Sequence, residues 1–265
     1  SATGTVTVNP SSTTTYSVLS GTGTCTASAV ATVSVSPMIT VAITPSATNI
    51  CIGSSTNLSA TGATSYTWIP GFSSSPILSV TPTTSSSYTV IGTDGVCTNT
   101  ASATVGVTSL TTTVNSNSAI YCLGVAPVSL TGGGATTYSW SPSVGLSSTS
   151  GAVVTATPAT TTIYTVTGTT NGCNSTNTIS ITVPPLSTLT ATSSNSIICV
   201  GNSSTLSATG ANTYTWNTGA TTSTNVISPS ITTTYTVTGQ TAAGCFAVPA
   251  IVTVTVLPTI NRALV

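Results

Sequence analysis

The stretch Ser65-Tyr66-Thr67-Trp68 decides the fold, because near-copies of it recur along the chain. The copies are Thr137-Tyr138-Ser139-Trp140 and Thr213-Tyr214-Thr215-Trp216, and the three tryptophans are 72 and 76 residues apart. A Tyr and a Trp two residues apart share one face of a β-strand, so both can reach a core. The phrase therefore predicts one half-buried strand in each of three repeats.

A second phrase keeps the same interval and extends the repeat to the start of the chain. It consists of Pro, five mostly Ser or Thr residues, then Tyr-Thr-Val or Tyr-Ser-Val, and it occupies residues 10–18, 82–90, 158–166 and 229–237. An interval of roughly 71–77 residues is longer than that of solenoid repeats. It suits a small independent β domain.

The landmarks divide the chain into five segments. Residues 1–36 correspond to the C-terminal half of a repeat, 37–107, 108–183 and 184–257 to complete repeats, and 258–265 to the first strand of a further repeat or a linker. One interpretation is an excerpt from a longer array. The other is a polymer whose terminal half-domains are completed by neighbouring chains through strand addition.

Within the first complete repeat, alternating apolar residues and turn residues mark short strands. Strands are predicted over 39–44, 55–60, around Tyr66 and Trp68, and over 77–81, followed by a closing hairpin of 88–92 and 101–107. Six or seven short strands with turns about every ten residues are typical of an antiparallel β-sandwich. No stretch has sustained helical periodicity, so we expect an all-β fold without helices.

The composition excludes most catalytic activities and nucleic-acid binding. The 265 residues include one acid, Asp94, one basic residue, Arg262, and no histidine. General acid–base catalysis needs such groups, and nucleic-acid binding needs several cations. We therefore expect that the protein is not an enzyme, binds no cofactor and has no nucleic-acid partner. No apolar run approaches the ~20 residues that span a membrane.

Ser and Thr supply 108 positions, yet the chain does not have the composition of a disordered protein. Disordered chains combine low hydrophobicity with high net charge, whereas this chain is 39% hydrophobic with a net charge of zero. Thr, Val, Ile and Tyr favour strands. A surface covered by hydroxyl groups in place of charges has little electrostatic repulsion, so we expect the chain to assemble with copies of itself or with flanking repeats. The many hydroxyl groups also suggest covalently attached glycans.

The cysteines keep the same interval and predict disulfides. Each complete repeat has two, and we predict the pairs Cys51–Cys97, Cys122–Cys173 and Cys199–Cys245, with the partner of Cys25 outside the segment. A metal site is the alternative, but two thiolates without histidine fall short of four ligands. Regular disulfides indicate an oxidising compartment.

The aromatic residues of the two phrases are predicted to form the cores. These are Trp68, Trp140 and Trp216 with Tyr88, Tyr164 and Tyr235. The alternative for the tryptophans is an exposed position that stacks on sugars.

Few other residues suggest a site. Asp94 in an Asp-Gly pair is predicted to be a turn residue; a calcium site is the alternative, and it usually needs more than one carboxylate. Arg262 is either a solvated charge or a contact to a neighbouring domain. Asn57, Asn174 and Asn202 lie in N-x-Ser/Thr patterns and are candidate glycosylation sites.

The repeat resembles the Ig-like and PKD-like repeats of Bacteroidetes surface proteins. The residues that carry the resemblance are a Cys-x-Gly turn, Tyr-x-Trp, Thr-Thr-Thr-x-Tyr-Thr-Val and Gly-Cys, best seen from Cys199 through Trp216 and Tyr235 to Cys245. It covers nearly all of the chain. It implies tandem β-sandwich domains of about 72 residues in a secreted or cell-surface protein, of the kind that the type IX system exports for gliding or adhesion. It implies no catalytic residue.

Three functions fit the sequence. The first is an extracellular fibre or stalk on a bacterial surface, polymeric or glycosylated. The second is an adhesin whose domain faces bind glycans or surfaces. The third is a spacer within a larger secreted enzyme.

Overall fold

The computed structural model describes residues 4–258, and within this range the chain consists of strands and loops without a helix. The expected all-β fold is confirmed. Arg262 and the strand expected over 258–265, apart from Pro258, lie outside the described residues. By compactness the chain forms two units, as far as their residues are described: Ser1–Ser109 with Asn171–Cys173, and Leu110–Thr170 with Asn174–Val265.

A hairpin begins the chain, and three β-sandwiches follow it. The hairpin is β1 (Thr14–Thr22) and β2 (Cys25–Val33). The strands of the first sandwich are β3 (Ala42–Pro45), β4 (Asn49–Cys51), β5 (Thr56–Thr61), β6 (Ser65–Ile69), β7 (Ile77–Val80), β8 (Ser86–Thr93) and β9 (Thr98–Thr108).

The second and third sandwiches repeat this order. The strands of the second are β10 (Thr113–Ser116), β11 (Val128–Gly133), β12 (Thr137–Ser141), β13 (Val153–Ala156), β14 (Thr162–Thr170) and β15 (Cys173–Ile181). Those of the third are β16 (Thr190–Ser193), β17 (Ile197–Cys199), β18 (Ser204–Thr209), β19 (Thr213–Trp216), β20 (Thr224–Ile227), β21 (Thr233–Gln240) and β22 (Ala250–Leu257).

Each sandwich has an Ig-like topology. In the first, one sheet has the strand order β3-β5-β7 and the other β4-β9-β8-β6. All pairs are antiparallel except the short β4, which runs parallel to β9. The third sandwich has the same pair of sheets, and in the second a parallel bridge between Ile120 and Thr182 stands in place of β4. In the letters used for immunoglobulin domains, the sheets are ABE and A′GFC.

Each sandwich has its own apolar core, to which both sheets contribute. In immunoglobulin domains, a Trp on the third main strand packs against a disulfide that joins the two sheets, and a Tyr precedes the second cysteine by two residues. Here Trp68 and Tyr88 hold those places, while Leu58 and Val90 are fully buried where the cysteines would be. Leucine and valine therefore take the place of the central disulfide.

The other two cores repeat these residues. Trp140 and Trp216 are buried, and so are Tyr164 and Tyr235. The indole N–H of each tryptophan donates to a loop carbonyl oxygen: Trp68 to Ser75 at 2.9 Å, Trp140 to Gly151 at 2.9 Å and Trp216 to Thr222 at 3.0 Å. Because the indole is enclosed on a core-facing strand, its face is not available for stacking on a sugar.

The tyrosine of the Tyr-x-Trp phrase closes a turn by hydrogen bonds to the backbone. The hydroxyl of Tyr138 donates to the carbonyl oxygen of Ala135 at 2.7 Å and accepts from the N–H of the same residue at 2.8 Å. Tyr66 and Tyr214 make the same pair of bonds with Ala63 and Ala211. The phrase therefore fixes both a core side chain and the turn before its own strand.

A glycine before that alanine allows the backbone to pass close to the strand that enters the sandwich. Gly62, Gly134 and Gly210 have φ of 92°, 87° and 102°, in the left-handed region. A Cβ on Gly62 would overlap the carbonyl oxygen of Thr40. The glycine of this Gly-Ala pair is thus a backbone requirement of the fold.

Replacement of Tyr138 by phenylalanine is expected to destabilise its sandwich by about 1 kcal/mol, because the backbone groups of Ala135 lose a half-buried partner. Urea unfolding followed by circular dichroism measures the effect. Tyr88→Phe is the control, since the described residues offer no hydrogen bond to the Tyr88 hydroxyl. Equal unfolding midpoints for the two variants would contradict the conclusion that the Tyr138 hydroxyl stabilises the turn at Ala135.

Surface hydroxyls pair across neighbouring strands. Thr15 with Thr32, Thr89 with Ser102, Thr190 with Thr209 and Thr234 with Thr253 make Oγ–Oγ hydrogen bonds of 2.7–2.9 Å. Such cross-strand pairs stabilise a sheet without charge. The Ser/Thr content is therefore part of the sheet surface.

Candidate functional site

Two disulfides are the chemically distinctive feature of the molecule. Cys51 is bonded to Cys173, within the first unit, and Cys122 to Cys245, within the second. The two pairs are separated by 122 and 123 residues. Each bond joins a cysteine of one sandwich to a cysteine of the next, so we call them inter-repeat disulfides.

The predicted pairs Cys51–Cys97, Cys122–Cys173 and Cys199–Cys245 are corrected by this arrangement. The reason is the parallel strand β4, which places Cys51 opposite Thr108, at the end of β9. Cys97 lies just before the start of β9, which is 11 residues long. At about 3.3 Å per residue, the 11 steps from Cys97 to Thr108 place the two cysteines about 36 Å apart, whereas a disulfide needs Cα atoms within about 7 Å.

The same register separates the two cysteines of the third sandwich. Cys199 lies opposite Leu257, at the end of β22, while Cys245 precedes the start of that strand. The fold class thus stands, but the expectation of one disulfide in each domain is corrected. The described residues contain two disulfides for three sandwiches, each shared by successive sandwiches.

The cysteines fall into two structural kinds. Three residues are here called strand-end cysteines: Cys51 and Cys199 end the parallel strands β4 and β17, and Cys122 follows the Ile120–Thr182 bridge. Each opens a Cys-x-Gly turn. The N–H three residues on donates to the cysteine carbonyl oxygen in all three: Ser54 at 2.9 Å, Val125 at 3.1 Å and Asn202 at 3.0 Å. The glycines have φ of 81–91°, which this turn requires.

The second kind, the turn cysteines, lie at or just before the second strand of an antiparallel pair: β1-β2 in the hairpin, and the last two strands in each of the three sandwiches. They are Cys25, Cys97, Cys173 and Cys245. Around Cys245, the Thr241 hydroxyl accepts from the cysteine N–H and the Thr241 N–H donates to the cysteine carbonyl oxygen. Asp94 makes the same two contacts with Cys97, with its carboxylate in place of the hydroxyl.

Each inter-repeat disulfide joins a strand-end cysteine to a turn cysteine. Three cysteines remain free: Cys25 and Cys199, which are exposed, and Cys97, which is half-buried. The bonded turn cysteines Cys173 and Cys245 are buried, 3% and 9% exposed. Bonding and burial therefore go together at the turn position.

Apolar side chains accompany the bond in the second unit. Leu123, Pro184, Pro185, Leu186 and Phe246 line one recess together with Cys122 and Cys245. The N–H of Val248 donates to the carbonyl oxygen of Ser187 at 2.8 Å, which ties this segment to the third sandwich. Leu123, Leu186 and Phe246 are 49–65% exposed, so the bond lies beside an apolar recess at the surface.

Asp94 has the role of a turn residue. Its carboxylate accepts from the N–H groups of Val96 and Cys97 at 2.9 and 2.7 Å. These hydrogen bonds, that of Cys97 foremost, hold the pKa of the Asp94 carboxyl below its usual value. Residues 4–258 contain no cluster of three His, Cys, Asp or Glu side chains that could hold a metal ion.

Stability is expected to be nearly constant between about pH 5 and 7.5, because the chain has no histidine and one acid. The lowered pKa of Asp94 gives a contribution that is present above the unfolded value of about 3.9 and is lost as the pH falls through the folded value. Burial raises the pKa of Tyr164, so its contribution is lost as the pH rises above about 10.

Urea midpoints measured from pH 2.5 to 11 check this profile. Asp94→Asn keeps a side-chain oxygen as acceptor but cannot titrate, so its midpoint is expected to change less than the wild-type midpoint below pH 4. An identical acid response of the two proteins would contradict the assignment to Asp94.

The three candidate glycosylation residues are exposed. Asn57 lies in β5, Asn174 near the start of β15, and Asn202 in the turn that follows Cys199. The amide oxygen of Asn174 accepts from the hydroxyl of Thr169 at 2.7 Å. Glycosylation at these positions stays a prediction.

No protein-family model matches the chain, and no curated protein matches its sequence. Solved structures similar to this chain contain several successive domains. The I67–I69 fragment of titin covers 85% of this chain and 100% of its own, with 11% identity and a TM-score of 0.44. The three N-terminal domains of the bacteriophage RB49 outer capsid protein Hoc cover 84% and 100%, with 16% identity and a TM-score of 0.34.

Immunoglobulin domains 1–5 of Sidekick-1 cover 83% of this chain, with 12% identity and a TM-score of 0.34, and the chain spans 59% of that structure's length. At such identities these likenesses concern the fold alone. The class of protein is a tandem array of Ig-like β-sandwiches, as the strand order has already defined. Within residues 4–258, no helix is long and apolar enough to cross a membrane.

Proposed function

We propose that the chain is part of a non-catalytic extracellular fibre or stalk on a bacterial surface. The observation that carries the proposal is that both disulfides join successive sandwiches, while the cores close without them. A bond that only stabilised a domain would lie within that domain. A bond from one sandwich to the next supports the continuity of an array.

The way in which the two disulfides connect the sandwiches favours a role in which the chain resists a pulling force. The loops closed by the two disulfides overlap over residues 122–173, so unfolding any one sandwich releases only a limited length of chain. Between residues 37 and 257, the shortest covalent path runs through 37–51, 122–173 and 245–257. It contains about 77 residue steps of about 220, which limits extension even after complete unfolding.

The surface and the redox chemistry support an extracellular location. Disulfides persist in oxidising compartments. Hydroxyl pairs link neighbouring strands on the exposed sheet surfaces, and a net charge of zero leaves little repulsion between neighbouring arrays. The resemblance to Bacteroidetes surface repeats agrees with this location.

Stretching single molecules tests the mechanical part of the proposal. With attachment at residues 37 and 257, the oxidised chain is expected to reach a contour length of roughly 270 Å and the reduced chain roughly 770 Å. Cys25→Ser is the matched control and is expected to keep the short length. An oxidised chain that extends as far as the reduced one would contradict the tension-bearing role.

Immunogold labelling tests the location and the form of the assembly. Antibodies against the chain are expected to label filaments outside unpermeabilised source cells. Labelling confined to the interior of permeabilised cells would contradict the extracellular function. Labelled tethers of irregular length would favour an adhesin over a regular fibre.

A further inference from the structure

An apolar recess lies open at the surface beside the Cys122–Cys245 bond. Leu123, Leu186 and Phe246 are 49%, 61% and 65% exposed there. A second recess shares Cys122 and continues the apolar surface. Large apolar side chains that are exposed together mark contact surfaces, whereas single ones are common everywhere. The residues of the first recess, here called the joint patch, are Leu123, Pro184, Pro185, Leu186 and Phe246.

The repeat provides an internal comparison for the aromatic residue of this patch. Phe246 follows the bonded turn cysteine Cys245, and the residue in the same place after bonded Cys173 is Asn174. The amide oxygen of Asn174 accepts from the hydroxyl of Thr169 at 2.7 Å. Since an inter-repeat disulfide forms with a polar residue in that place, the bond does not require an aromatic side chain there. The exposed ring of Phe246 is therefore available for contact with another molecule.

We propose that the joint patch is a contact surface between copies of this chain, in which the patch of one copy lies against the same patch of another. This contact rests on the proposed fibre function and deepens it, since it joins two arrays side by side. It is isologous, because the same residues lie on both sides of a twofold axis. One patch on each copy is therefore enough to form the dimer.

The charges of the chain favour a second copy over a charged partner. Asp94 and Arg262 are its only charged residues, so the segment 95–258, which contains the whole patch, has no Lys, Arg, His, Asp or Glu. A partner with charged groups around its contact surface would lose their hydration and gain no opposite charge. The joint patch has no such groups to desolvate. Two copies of it are therefore compatible, and no like charges keep them apart.

The patch continues an interface that already exists within the second unit. Leu123 belongs to the second sandwich and Phe246 to the third, and both line the same recess. The Cys122–Cys245 bond holds the two sides together, and so does the hydrogen bond from the N–H of Val248 to the carbonyl oxygen of Ser187 at 2.8 Å. A surface that is already held in place loses little conformational freedom when it binds.

The size of the patch sets the expected strength of the contact. Stable interfaces bury about 800 Å² on each partner. A fully buried aromatic side chain contributes about 150–250 Å², so Phe246 and two partly exposed leucines provide only part of that area. A single contact is therefore expected to be weak, and the dimer is expected to exchange with the monomer at high protein concentration.

Sedimentation equilibrium of the full chain, with its free thiols blocked, measures the association. The mean mass of the wild-type chain is expected to rise towards that of a dimer as the concentration approaches about 1 mM. Phe246→Ser is expected to raise the Kd by about tenfold or more, because it removes an anchor from both sides of the contact. Phe72→Ser is the matched control, since Phe72 lies in the first sandwich and is 80% exposed. It is expected to change the Kd by less than about twofold.

Cross-linking identifies the surface in contact. Phe246 is replaced by photoreactive benzoylphenylalanine, and equal amounts of isotope-labelled and unlabelled chains are mixed and illuminated. Cross-linked peptides with one labelled and one unlabelled half come from two different copies. Their second half is expected to contain residues 120–127 or 184–187. This measurement leaves an aromatic ring at position 246, so it also covers the case in which Phe246→Ser does not fold.

Several results would overturn the proposal. They are a wild-type chain that stays monomeric, a Kd that Phe246→Ser leaves unchanged, and mixed cross-links that lie only outside the joint patch, for example in the β1–β2 hairpin. A monomeric chain that binds phosphatidylcholine vesicles through Phe246 would replace the second copy by a lipid surface. Each of these failures would leave the results of stretching and immunogold labelling, and thus the proposed stalk, untouched.

Discussion

Replacement of Cys122 by serine is expected to destabilise the chain, whereas Cys199→Ser, at the equivalent position of the third sandwich, is expected to leave stability within about 0.5 kcal/mol. Cys122 closes a loop of about 123 residues, for which the chain-entropy model gives about 5 kcal/mol. Because the other disulfide already constrains part of that loop, the measured loss is expected to be smaller than this value.

Thermal unfolding by circular dichroism measures both effects under non-reducing conditions. In the Cys122→Ser protein the buried Cys245 also loses its partner, so its midpoint is expected to fall by several degrees and the Cys199→Ser midpoint to stay constant. If the disulfides instead lay within the repeats, Cys199 would be bonded as Cys122 is. The Cys199→Ser midpoint would then fall as far as the Cys122→Ser midpoint. Equal shifts for the two variants would therefore contradict the inter-repeat bonds.

Trp68→Ala is expected to destabilise the first sandwich by about 3–5 kcal/mol, because it leaves a large cavity in a small core. Trp68 is fully buried, and its indole N–H donates to the carbonyl oxygen of Ser75 at 2.9 Å. The loss is expected to exceed that of Trp68→Phe, which keeps most of the apolar volume but leaves the carbonyl group without its donor.

The control for this prediction is Phe72→Ala in the same sandwich. Phe72 is 80% exposed, so its replacement is expected to change stability by less than about 0.5 kcal/mol. Urea unfolding followed by circular dichroism avoids dependence on tryptophan fluorescence. A Trp68→Ala protein as stable as Phe72→Ala would mean that Trp68 does not belong to the core.

The fold was predictable because its decisive residues act locally. Tyr66 and Trp68 share a strand face, and the glycine and alanine before them set the turn, so one short phrase contains a strand and its entry. Repetition of the phrase separates such residues from the Ser/Thr background. The phrase that ends in Tyr88-Thr89-Val90 identifies a further strand in the same way.

The disulfide pairing was not predictable from spacing because it depends on a non-local register. Asn49-Ile50-Cys51 is too short to show an alternating pattern, yet its parallel pairing with β9 places Cys51 at the opposite end of that strand from Cys97. The similar separations within each repeat were a consequence of the repeat and gave no information about distance. The length of the strand that follows Cys97 was the one indication in the sequence. A strand of that length places Cys97, in the turn before it, far from any residue at its other end.

Non-reducing peptide mapping of the chain, with its free thiols blocked before digestion, tests the central claim most directly. The arrangement described above predicts one peptide pair that links Cys51 to Cys173, another that links Cys122 to Cys245, and blocked thiols at Cys25, Cys97 and Cys199. Recovery of Cys51 linked to Cys97, or of Cys199 linked to Cys245, would contradict the covalent connection between successive sandwiches.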